Sequence, residues 1–122
     1  MIRARILQNS QNWRRSIPLY EMALGGGLPE PTRQKALENL SVVYRRSGDH
    51  ERSRETCAEL MGYPEFSMTG YEGAAIYYER VAGDFEKTLR VLEEGLRRAE
   101  SKRWKILLKS RWDRLQQKVI AW

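Results

Sequence analysis

"YRRSGDHERS" (residues 44–53) and "YERVAGDFEKT" (residues 78–88) are built alike: an aromatic residue, charges, a Gly-Asp pair, then a second charged run. Glycine suits the left-handed residue that closes one helix, and aspartate suits the N-cap that opens the next. Each Gly-Asp is therefore read as the turn of a helical hairpin. With Asp49 and Asp84 as anchors, Ser53 and Thr88 fall at equivalent places. Upstream, Asn12, Trp13, Ser16, Tyr20 and Ala23-Leu24 fit the same register. A unit that recurs at this interval marks a repeat architecture.

Apolar spacings of three and four recur along the chain, and no strand-like alternation is sustained. The spacing predicts helices near 2–9, 12–24, 31–47, 50–61, 70–82, 84–99 and 103–121. Pro18 requires the second of these to start near Ser16 or to bend. "GGGLPEP" (25–31) ends a helix and places Pro31 at a first helical position, while Thr69 with Glu72 forms a candidate capping box.

Composition narrows the function classes. The chain has 122 residues, 31% charged and 41% hydrophobic, which suits one globular domain. The lone Cys57 cannot form an internal disulfide, no apolar run approaches a membrane span, and "MIRARILQNS" lacks a signal-peptide core. A cytoplasmic protein without a membrane segment is expected. Catalysis finds little material in one His, one Cys and three Asp. His50 and Cys57, seven apart on one helix, lie about 10 Å apart, beyond a direct hydrogen bond. Both are read as packing residues. No His, Cys or carboxylate cluster suits a metal, and "GGG" has no phosphate-loop lysine after it. No enzyme activity and no cofactor are expected.

The net charge of +6 is concentrated at the end of the chain. Lys102, Arg103, Lys105, Lys109, Arg111, Arg114 and Lys118 face a single acid there, Asp113. On the same helix Trp104, Leu108, Trp112, Leu115, Val119 and Trp122 project onto one stripe at about 100° per residue. The stripe reads as the apolar face of a capping helix. The bases around it suit an acidic protein or, without sequence specificity, nucleic acid. An uncovered tryptophan stripe would also permit self-association.

The segments "ALENLSVVYRRSGDHERSRETCAELMGYP" and "YEGAAIYYERVAGDFEKTLRVLEEGL", with the half-unit "NWRRSIPLYEMALGGGLP", resemble the tetratricopeptide repeat. Leu40, Ser41 and Tyr44 stand where that family has Leu, a small residue and Tyr. Ser53 and Thr88 stand at its small second-helix position, and Pro64 near its terminal Pro. The resemblance covers roughly residues 12–100. It implies an all-α superhelix of helical hairpins in a single domain: a partial repeat (1–28), two repeats (29–64 and 65–100) and a basic capping helix (101–122).

In that family the first helix of each unit lines a concave groove. The resemblance therefore implies that Lys35, Asn39, Val42, Arg46, Tyr77 and Arg80 face such a groove. That set suits an extended, acidic peptide, which makes a protein-interaction scaffold the expected function. The family's carboxylate clamp for chaperone tails is not expected, because Gly70 and Gly73 stand where further polar groups would be needed. A narrower resemblance is to the helical-repeat tail of bacterial YprB-type proteins, which carry an RNase H-like exonuclease domain upstream. Their paired Tyr is often followed by Glu-His, whereas Glu79-Arg80 follows Tyr77-Tyr78 here. That resemblance implies an accessory nucleic-acid-binding role for the basic helix.

Overall fold

The computed structural model describes residues 15–120, and every regular element among them is helical. The expected 2–9 helix, the start of the 12–24 helix, Asn12, Trp13 and Trp122 lie outside the described residues. Helix α1 covers 15–25 and runs through Pro18. It is followed by α2 (Thr32–Arg46), α3 (His50–Met61), α4 (Met68–Ile76) with a π-helical turn (Tyr77–Val81), α5 (Phe85–Arg98) and α6 (Lys102–Ile120).

The two Gly-Asp pairs are hairpin turns of one design. Gly48 has φ of 92° and Gly83 of 64°, the left-handed region that glycine enters without a Cβ clash. Asp49 Oδ1 accepts from the Arg52 amide at 3.1 Å, and Asp84 Oδ1 from the Lys87 amide at 3.0 Å. The Asp49 amide in turn donates to Tyr44 O (2.9 Å), and the Asp84 amide to Tyr78 O (2.7 Å). The second turn is one residue longer, since Tyr44 precedes its Gly by four positions and Tyr78 by five. The π-helical turn takes up that extra residue, with the Ala82 amide reaching back to Tyr77 O at 3.0 Å.

Two caps differ from expectation. Ser67, not Thr69, caps α4, its hydroxyl accepting from the Gly70 amide at 3.1 Å. Thr69 is the second residue of the helix, two positions too late to cap it. Pro31 is the N-cap of α2, and Thr32 is its first helical residue.

Each helix from α2 onward packs on its successor, and α2 also meets α4 directly. Small residues mark the crossings. The buried Ser53 hydroxyl donates to Ser41 O at 2.8 Å, tying α3 to α2. A Cβ at Gly70 would stand 2.8 Å from Leu60 Cβ, and one at Gly73 would stand 2.5 Å from Cys57 Sγ. Both glycines thus serve the close approach of α4 to α3. Cys57, Tyr71, Ala74, Ala75, Leu92, Leu108 and Leu115 form the centre of the core, each at most 2% exposed.

Arg98, at the end of α5, fastens the α3–α4 connection. Its guanidinium donates to Met61 O (2.8 Å), Tyr63 O (2.6 Å), Pro64 O (3.1 Å) and the buried Tyr71 hydroxyl (2.8 Å). Three of these charge-assisted bonds hold residues 61–64 against α5, and the fourth ties α4 to it at Tyr71.

Candidate functional site

One side of α2, half-buried to exposed, carries Gln34, Lys35, Glu38, Val42, Arg45 and Arg46 at spacings of three and four, away from its buried face of Leu37, Leu40 and Tyr44. Two clefts lie along this side, between α2 and α4. One holds Arg46, Tyr77 and Arg80 together, and the other holds Lys35. Val42 is half-buried between these two positions, and Asn39 is exposed and lines neither cleft.

The first cleft has a volume of about 380 Å³. Arg45 and Arg46 reach it from the last turn of α2, where the carbonyl end of the helix favours cations. His50 enters from the first turn of α3, and Tyr77 and Arg80 from the π-helical turn, over a floor of Gly73 and Ile76. No Asp or Glu is among the described residues that line it. His50 is exposed here, so it is not the packing residue that its repeat position suggests. It is the first residue of α3 and has no second helix turn above it to bury it. Cys57 is 1% exposed, and burial pushes its thiol pKa up, which suppresses the nucleophilic thiolate.

Tyr77 forms a fixed wall. Its hydroxyl donates to Glu51 Oε2 at 3.0 Å, its ring meets Tyr78 edge-on at 5.2 Å, and Arg54 sits 5.8 Å from its centroid. The Glu51 carboxylate raises the Tyr77 pKa, while Arg54, followed by Tyr77, holds the Glu51 carboxyl below its usual range.

The second cleft, about 1130 Å³, lies at the other end of α2. Tyr63, Phe66, Met68 and Trp104 supply apolar walls, with Glu30, Glu38, Glu65 and Lys35 at its polar positions. Phe66 packs between Tyr71 and Trp104, 5.3 Å from each ring centroid. Gln34 Nε2 donates to Glu65 O at 3.3 Å, and the Ser67 hydroxyl to Glu38 Oε2 at 2.6 Å.

Helix α6 turns its stripe inward. Leu108 and Leu115 are fully buried, and Trp104 and Trp112 are half-buried against the core. Val119 is 40% exposed and lines an open cleft with Phe85, Glu86 and Leu89 of α5. The exposed apolar residues nearer the start of α6 are Ile106 and Leu107, not the tryptophans.

The basic residues of α6 divide in two. Arg114 grips Glu79 with both nitrogens at 2.9 Å, Lys118 approaches the same carboxylate at 3.7 Å, and Arg111 lies 3.6 Å from Glu72. Glu79 is only 8% exposed, and the bond from Arg114 holds its carboxyl below the usual range. Lys109 pairs with Asp113 at 3.1 Å and lies 4.5 Å from the Trp112 ring. Lys102, Arg103 and Lys105 are exposed in the first turn of the helix.

Among the described residues no group of three or more His, Cys, Asp and Glu is arranged to hold a metal, and no helix is long and apolar enough to cross a membrane. In comparisons with protein families, curated proteins and solved structures, the chain matches none.

Proposed function

We propose that the chain is a tetratricopeptide-like superhelix capped by α6, and that it acts as a non-enzymatic interaction module in the cytoplasm. Its α2–α4 groove takes an acidic segment of a protein partner. The observation that carries this reading is the convergence of Arg45, Arg46, His50 and Arg80 on one cleft, beside Tyr77 and with no carboxylate among the described residues that line it. Arginine forks suit carboxylates geometrically, and a preformed concave site lowers the cost of ordering them. Direct packing of α2 on α4, with α6 ion-paired to α4 at Glu72 and to the following π-helical turn at Glu79, is the adjacency expected of first helices in successive hairpins.

A labelled peptide of alternating aspartate and glutamate provides the test. Arg46→Glu with Arg80→Glu is expected to weaken its binding at least about tenfold, or 1.4 kcal/mol, with helix content and Tm retained. Unchanged affinity in that double variant removes the groove reading.

The nucleic-acid alternative rests on Lys102, Arg103, Lys105 and Lys109, since Arg111, Arg114 and Lys118 are engaged with Glu72 and Glu79 outside α6, while Lys109 pairs only within the helix, with Asp113. It calls for retention of nucleic acid that falls steeply with salt and is lost when those four are neutralised. Self-association, in this reading, runs through Ile106 and Leu107.

A further inference from the structure

We propose that the two clefts work as one bipolar groove, occupied by a single extended segment with basic residues at one end and acidic residues about five positions away. This rests on the acidic-segment reading of the cationic cleft and adds the other half of the ligand.

Gln34 in the aromatic cleft and Arg45 in the cationic one are eleven residues apart on one side of α2. That is about 16 Å of helix rise, which about five residues of extended chain would span. Val42, half-buried between the two, offers an apolar surface rather than a charge.

The chemistry reverses from one end to the other. In the aromatic cleft three carboxylates, Glu30, Glu38 and Glu65, outnumber the one cation, Lys35. Tyr63, Phe66 and Trp104 add ring surfaces on which an arginine or lysine stem packs and to which its cation is attracted. The wall is held in advance of binding: Arg98 fixes the Tyr63 and Pro64 carbonyls, Gln34 fixes Glu65 O, and Ser67 fixes Glu38. A prearranged wall of this kind spares the ligand the cost of ordering a loop. A purely acidic segment would leave this end unused and repelled, and a purely basic one would fail at Arg45, Arg46 and Arg80.

The test uses labelled peptides containing two arginines, a spacer of four neutral residues and three aspartates. Controls have the same composition with the two charged blocks adjacent, and all are made in both chain directions. The spaced peptide is expected to bind about tenfold tighter than its adjacent-block control in at least one direction. Glu30→Lys with Glu65→Lys should erase that advantage without weakening an all-aspartate peptide. If spaced and adjacent peptides bind equally while the all-aspartate peptide still binds, the bipolar inference fails and the acidic-segment reading stands. If the all-aspartate peptide does not bind at all, both fail.

Discussion

Gly73 is small because Cys57 lies behind it, and the contact sets how closely α4 can approach α3. Replacing Gly73 with Ala would force its Cβ to 2.5 Å from Cys57 Sγ, so the helix or the thiol must move. The expected cost is about 1–3 kcal/mol, the usual range for overpacking a filled core. Urea denaturation measures it, and Cys57→Ala in the same chain should return part of the loss, since the shared clash couples the two sites. The same glycines show how a residue can mislead when only its register is known. In the tetratricopeptide resemblance Gly70 and Gly73 stand at positions expected to face a groove, where their missing side chains suggest a depleted ligand site. Their closest neighbours are Leu60 and Cys57, so their smallness answers to packing between helices. His50 is the converse case: a helix-periodic position that sits too near the end of α3 to be covered.

At the scale of the element, the Gly-Asp turns were readable because their chemistry is local. A left-handed glycine and an aspartate cap need no distant partner, and both turns form as their residues dictate. The helices follow for the same reason, with α3 at its expected bounds and the others displaced by no more than two residues where they are described, provided that α4 is taken together with its π-helical turn. The π-helical turn was not readable in this way. Its signal is the single extra residue between Tyr78 and Gly83, which shows only when the two turns are laid side by side. Its consequence is large, because Glu79 then points to α6 and Arg80 to the cleft.

Glu79 gives that element a pH signature. Its carboxyl lies below the usual range in the folded chain, so its pairing with Arg114 stabilises the fold above the ordinary carboxylate pKa and is lost as pH falls through the folded value. Glu79→Gln should cost about 1–2 kcal/mol at neutral pH, discounted for the half-exposed Arg114. The difference from the native chain should shrink toward zero as pH falls through that lowered value. A constant difference down to acid pH would mean that Glu79 contributes shape and not charge.

Across the whole molecule, charge is sorted by place. The basic excess of the last helix looks in the sequence like one continuous ridge. In the fold, three of its seven bases are engaged with α4 and its π-helical turn, because α6 lies beside Glu72 and Glu79, and Lys109 pairs within α6 with Asp113. Pairings between helices far apart in sequence depend on which faces meet, and helical periodicity alone does not carry that information. The cationic cleft has the same origin: Arg45 and Arg46 are brought to Arg80 only by the packing of α2 on α4. Of the groove set Lys35, Asn39, Val42, Arg46, Tyr77 and Arg80, the three at the hairpin turns converge, and Lys35 is drawn to the opposite end.

The most direct measurement is a titration of the ¹⁵N-labelled chain with an unlabelled acidic peptide, followed by amide chemical shifts. The groove account predicts saturable shifts confined to the end of α2, the start of α3, the second half of α4 and the π-helical turn, centred on Arg46, His50, Gly73, Tyr77 and Arg80. Shifts centred instead on Lys102, Arg103 and Lys105 at the start of α6, with the α2–α4 cleft unmoved, would contradict it.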